Sequence, residues 1–165
     1  MYDLSQLEKC VDLALKDKKR IIVAITGLCG SGKSTLGKFI RKNGIGGGRY
    51  KPYKIAVIDD SVMTLNLFLI RPKIRCNAPQ NQPCDNLKPF MKFLPPYVKI
   101  IFYVSNSLNR IDFADIILQV KIDENLRLQR LTKRENGDKE KIHTLQSAKP
   151  FIDIPHKYKI ELNAQ

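Results

Sequence analysis

No apolar run in this sequence approaches the roughly 18 residues that a membrane-crossing helix requires. That lack predicts a soluble chain with no membrane partner. The opening residues MYDLSQLEKC carry acids where a secretory leader has a basic stretch followed by an apolar one, so a cytoplasmic location is expected. No CxxC spacing occurs among Cys10, Cys29, Cys76 and Cys84, and no histidine cluster lies near them. A zinc site is therefore disfavoured and reduced thiols are expected. His143 and His156 stand in separate segments without partners in recognisable spacing, which suits surface residues better than catalytic ones. An NKxD motif for reading guanine is also missing, which argues against a regulatory GTPase. Acidic residues are scarce over 21–111, where three stand against fourteen basic ones.

What is present begins with that charge. The formal net charge is +13. Residues 1–20 hold five basic and four acidic residues, and 112–165 hold ten and nine, so nearly all the excess belongs to the middle block. Such a field attracts polyanions, from nucleotides and phosphorylated metabolites to nucleic acid; a merely solubilising surface is the alternative. At 165 residues the chain fits one domain, 1–165, long enough to bury a core.

Hydrophobic periodicity divides the chain into alternating elements. Ser5 and Glu8 have capping-box spacing, and Leu7, Cys10, Val11, Ala14 and Leu15 follow at helical intervals. The β-branched run IIVAIT at 21–26 reads as a strand. Leu36, Phe39 and Ile40 then form a helical stripe that Gly44 can terminate. Short apolar runs at 54–58, 98–104 and 116–122 read as strands buried on both faces of a parallel sheet, with 158–162 as a weaker fifth. Helices are expected to open at Asp123 and from about Asp138 to Ala148, with Pro150 as a stop. The alternation predicts a three-layer α/β fold. Residues 71–97, with six prolines, should carry little regular structure and sit on the substrate side. Gly46, Gly47 and Gly48 suit a flexible helix-to-strand turn, with an anion-binding nest as the alternative.

Gly27, Gly32, Lys33 and Ser34 satisfy GxxxxGK[ST], the Walker A pattern for cradling the phosphates of ATP or GTP, between a predicted strand and a predicted helix. The loop residues Gly27, Leu28, Cys29, Gly30, Ser31, Gly32, Lys33, Ser34 and Thr35 are expected to hold the nucleotide. Gly27, Gly30 and Gly32 let backbone amides point inward. Lys33 reaches the β and γ oxygens, the Ser34 hydroxyl suits Mg²⁺, and Thr35 reaches the α-phosphate.

Asp59 and Asp60 end the second strand, on the edge that faces the ligand crevice in a parallel sheet. Two adjacent acids can divide general-base work from metal coordination; which takes which role stays open, with Asp60 set beside Ser34 on the metal side. A helix cap with a solvated neighbour is the alternative. Arg127, Arg130 and Arg134, three and four residues apart, form one helical stripe, with guanidinium forks suited to phosphates. A solvated basic face is the other reading. ENGD at 135–138 would turn a hinged lid over about 127–140.

The order of opening helix, GLCGSGKSTL, strand ending in Asp-Asp, and ADIILQVKIDENLRLQRLTKRE resembles the uridine kinase-like group of P-loop small-molecule kinases, which includes the nicotinamide riboside kinases. The loop is also similar to that of adenylylsulfate kinases, although their DGDNVR-type segment is absent. The resemblance spans most of the chain except 61–97. It implies a P-loop NTPase fold with a five-stranded parallel sheet, ATP and Mg²⁺, an aspartate (Asp59 or Asp60) near the acceptor hydroxyl, and lid arginines at Arg130 and Arg134. The sequence departs from the family in two places. Ser61, Val62 and Met63 stand where aromatic residues commonly follow the aspartate, and YVSNSLNR after the third strand lacks a Walker B acid. The expected activity is a kinase acting on a hydroxyl of a nucleoside, nucleotide-like or other small, often anionic, metabolite. The alternative is a nucleotide-regulated module that binds nucleic acid or phosphorylates its ends.

Overall fold

Ile21, Val23 and Ile25 pack to one side of their strand and Ile22 and Ala24 to the other, each set within its own hydrophobic cluster. A strand buried on both faces must lie inside a sheet covered twice, and that is the arrangement in the computed structural model, which describes residues 3–59, 61–67, 70–76 and 85–163. The strands are β1 (Ile21–Gly27), β2 (Ile55–Asp59), β3 (Val62–Thr64), β4 (Lys73–Arg75), β5 (Ile100–Val104), β6 (Ile116–Lys121) and β7 (Tyr158–Asn163). They form one seven-stranded sheet in the order β4-β3-β2-β5-β1-β6-β7.

The α/β class is as expected, but the sheet is mixed and wider than five strands. The five contiguous strands β2, β5, β1, β6 and β7 pair in parallel, and they are the five that periodicity predicts. β3 and β4 add an antiparallel extension on the β2 edge. The described part of 71–97 carries little regular structure, as its prolines suggest. It contributes β4 and the one-turn helix α3 (Lys88–Met91), with Phe90 buried beneath the sheet.

One face is covered by α1 (Ser5–Asp17) and α2 (Lys33–Asn43), whose Leu7, Val11, Leu36 and Ile40 pack on Ile21, Val23 and Ile25. The other face is covered by α3 and by irregular chain, through Leu87, Phe90, Leu108, Ile111 and Ile154. This is consistent with three layers, the second cover being loops rather than long helices. α4 (Glu124–Arg134) and α5 (Lys139–Ser147) open on Asp123 and Asp138, whose carboxylates accept from Asn125 and Leu126 and from Lys141 backbone amides. ENGD makes the turn between them, with Asn136 and Gly137 at positive φ.

One local expectation is corrected. Ser5 and Glu8 do not form a capping box: α1 has no side-chain cap, the Asp3 carboxylate accepts from the Ser5 amide, and Glu8 accepts from the Gly46 amide 2.9 Å away. Gly46–Gly48 form a tight turn closed by a bridge between Ile45 and Tyr50. Among the described residues, no helix is long and apolar enough to cross a membrane.

Candidate functional site

In a parallel sheet, the residues just past the strand ends share one edge. The register aligns Asp59 with Val104 and Val104 with Ile25, so the ends of β2, β5 and β1 open onto a common mouth. β1 runs straight into the glycine-rich loop, and α2 starts at Lys33 immediately after it. Gly27 must be glycine: its φ is +147°, and a Cβ there would stand 2.4 Å from the carbonyl oxygen of Val120 on β6. Gly30 and Gly32 also have positive φ, and Gly32 gives α2 its first backbone acceptor, bonded by the Leu36 amide at 2.9 Å. The loop amides at a helix N-terminus make a place for negative charge.

Lys33 is 7% exposed, and its ammonium donates to the carbonyls of Gly27 (3.0 Å) and Leu28 (2.8 Å). The ammonium is thus held inside the loop curve. Ser31 is fully buried beneath the loop, and among the described residues its hydroxyl is the one buried side-chain polar atom without a hydrogen-bond partner.

A cleft of about 530 Å³ opens over the loop. Cys29, Gly30, Gly32, Lys33, Ser34 and Thr35 form its floor, Asp59 lines the β2 side, and Arg130 and Arg134 reach it from α4. Gly27, Leu28 and Ser31 support the loop without lining the cleft. Asp59 is the one carboxylate in the lining among the described residues. Asp60 lies outside the described residues. Leu145 brings α5 into the wall, so both helices flanking the ENGD turn border the cleft.

The arginine stripe divides. Arg130 and Arg134 line the cleft, with Arg134 also paired to Glu135 at 2.6 Å. Arg127 instead is 3% exposed and held by both oxygens of Glu124 at 2.7 Å, with a third bond to the carbonyl of Cys29 at 3.3 Å. Its stem and Leu131 pack where a Cβ on Gly30 would stand. Arg127 therefore clamps the loop to α4. The two hydrogen bonds from Arg127 hold the Glu124 carboxyl below its usual range, and Glu124 in turn raises the guanidinium.

Sequence reasoning missed Ser105 and Asn106, which follow β5 and line the cleft between β1 and β2. The Asn106 side chain donates to the Cys29 sulfur at 2.9 Å, and the Asn106 backbone carbonyl accepts from the Thr26 hydroxyl at 3.2 Å. The signal was their position beyond a central strand, hidden because neither residue is ionisable. Cys10, Cys29 and Cys76 are free thiols, and no metal-binding group of three His, Cys, Asp or Glu side chains occurs among the described residues. No protein-family model matches the chain, and no curated protein matches it either.

Proposed function

We propose that the chain is a P-loop phosphotransferase that moves the γ-phosphoryl group of ATP to a hydroxyl of a small nucleoside-like or anionic metabolite. The observation that carries this reading is the cleft in which the glycine loop and Lys33 meet Asp59 on one side and Arg130 and Arg134 on the other. Five contiguous parallel strands, with the loop following the middle one, support the P-loop fold of nucleoside and nucleotide kinases.

The loop amides and the N-terminus of α2 bind the β-phosphate. Lys33 exchanges the Gly27 and Leu28 carbonyls for phosphate oxygens and offsets charge on the transferring group. Arg130 and Arg134 approach the same group from α4, and closure of α4 and α5 keeps water from competing with the acceptor. Asp59 orients the acceptor hydroxyl and takes its proton. The Ser34 hydroxyl, which lines the cleft, fits an oxygen-rich ligand. Ser34 with a carboxylate from Asp59, or from its sequence neighbour Asp60, suits Mg²⁺, which takes few protein ligands when phosphates supply the rest. Bound magnesium would neutralise charge on the β and γ oxygens.

The test is a panel of hydroxyl acceptors with ATP and Mg²⁺, scored for ADP release above the rate without acceptor. One active acceptor, with transfer reduced about 100-fold or more by Lys33→Ala, is the expected result. A uniformly silent panel, or full activity in Lys33→Ala, overturns the proposal.

A further inference from the structure

The opposite end of the sheet carries a second concentration of positive charge. Lys54 and Lys99 immediately precede β2 and β5, and Lys16, Lys18 and Lys19 run from the end of α1 towards β1. The strand register continues through them: the Lys99 amide donates to the Lys54 carbonyl (2.8 Å), and the Ile21 amide donates to the Lys99 carbonyl (3.0 Å). All five lysines line a groove of about 400 Å³. The seven residues of β1, Ile21–Gly27, run from this end to the loop, roughly 20 Å at the rise of a strand. The groove is therefore distinct from the cleft.

Its charge is little compensated. Asp17 is the one acid in the lining, and its carboxylate is paired with Lys157 at 2.8 Å. Lys18 is paired with Asp115 at 2.5 Å. Lys16, Lys19, Lys54 and Lys99 make no salt bridge among the described residues. Lysines that line one groove concentrate positive charge there, which favours a polyanion.

Exposed aromatic rings border the same lysines. Tyr53 and Tyr97 are 41% and 38% exposed and stand edge to face, 6.2 Å apart. The Lys54 ammonium lies 5.9 Å from the Tyr53 ring, and on the other flank the Lys18 ammonium lies 5.2 Å from the exposed Phe113 ring. The Arg20 side chain holds part of this edge: it donates to the carbonyls of Val98 (2.9 Å) and Pro95 (2.9 Å), which fixes the chain on either side of Tyr97.

We propose that this groove at the N-terminal edge of the sheet binds single-stranded nucleic acid, with Lys16, Lys19, Lys54 and Lys99 on the phosphates and Tyr53 and Tyr97 as stacking platforms for bases. A tracked backbone beside exposed aromatic rings is the recognition chemistry of single strands. A duplex hides its base faces, and a small anion has no use for the rings. This site is independent of the donor cleft, so it stands or falls separately from the phosphotransferase reading.

The experiment is fluorescence anisotropy of a labelled mixed-sequence 12-nucleotide RNA, and of the matching DNA, titrated with the full chain. With about four phosphates neutralised, affinity should fall roughly 50-fold between 50 and 200 mM salt. Lys16→Glu/Lys19→Glu/Lys54→Glu/Lys99→Glu should abolish binding at both salt concentrations, and the matching four Lys→Arg changes should retain it. Tyr53→Ala/Tyr97→Ala, on exposed rings that leave the core intact, should weaken binding about tenfold or more without changing the salt slope. Lys33→Ala should bind the oligonucleotide like the parent chain. No binding at 50 mM salt, or binding insensitive to both the lysine and the tyrosine changes, overturns the proposal. So does capture by phosphatidylserine-containing vesicles with no oligonucleotide bound, which would assign the groove to a membrane surface.

Discussion

Replacing either member of the Arg127–Glu124 pair should destabilise the protein unequally, and the inequality follows from where each group sits. The Arg127 side chain is 4% exposed and Glu124 56%. Glu124→Ala strands a buried guanidinium whose remaining polar partner is the Cys29 carbonyl at 3.3 Å. Leaving a buried charged donor short of its partners costs about 3 kcal/mol, more than a neutral group would. Arg127→Met leaves a carboxylate that water can solvate, together with one orphaned carbonyl, for about 1–3 kcal/mol. The smaller loss should carry the larger functional effect, because Arg127→Met releases the loop from α4 while Glu124→Ala leaves the Cys29 contact in place. Urea unfolding gives the stabilities, and calorimetric titration of ATP gives the affinities. A larger stability loss in Arg127→Met than in Glu124→Ala, or an unchanged ATP affinity in Arg127→Met, would refute this account of the clamp. The pair also has a pH signature. Because the Glu124 carboxyl lies below its ordinary value of 4.5 when folded, its contribution is present above that value and is lost as pH falls through the folded one. The acid-side decline should be shallower in Glu124→Ala.

Further outcomes follow from the loop and from α1. Gly27→Ala places a Cβ 2.4 Å from a backbone oxygen at a φ of +147° and should cost about 3 kcal/mol or more. Gly47→Ala, with nothing within 4 Å and a φ of +58°, should cost only about 1 kcal/mol; thermal melts of both variants distinguish a steric requirement from a conformational preference. Burial, reinforced by the hydrogen bond to Asp12, pushes the Tyr50 hydroxyl up to about 12 from 10.0. That contribution is complete below pH 10 and lost as pH rises towards 12, so the parent chain should lose on the order of 1 kcal/mol between pH 9 and 11 that Tyr50→Phe does not. Equal alkaline losses in the two chains would remove Tyr50 as the cause.

The parts of the fold that were readable in advance are those with a local physical signature. Ile21–Gly27 is β-branched and apolar throughout because both faces are buried, and Asp123 and Asp138 announce helix starts through their own carboxylates. The loop pattern was readable for the same reason, since Gly27 and Gly30 are demanded by backbone geometry. β3 and β4 were not. Each has three residues, too few to display an alternation, and their pairing is tertiary. The second cover of the sheet was equally hidden, because Phe90, Leu108, Ile111 and Ile154 come from scattered loops with no shared period.

In the candidate site, spacing placed Arg127, Arg130 and Arg134 on one helical face, and it could not show that Cys29 and Glu124 would claim the first of them. The capping-box spacing failed similarly, since Glu8 reaches Gly46 across the fold. Ser105 and Asn106 are uncharged and unremarkable in sequence; the parallel register brings them to the cleft beside Asp59.

The central claim is that the Gly27–Thr35 loop holds nucleoside triphosphate through Lys33. Calorimetric titration of MgATP into the parent chain and into Lys33→Ala tests it most directly. Saturable binding at one site in the parent, weakened about tenfold or more in Lys33→Ala, is the predicted result. No heat of binding in the parent, or equal affinity in both chains, would contradict it.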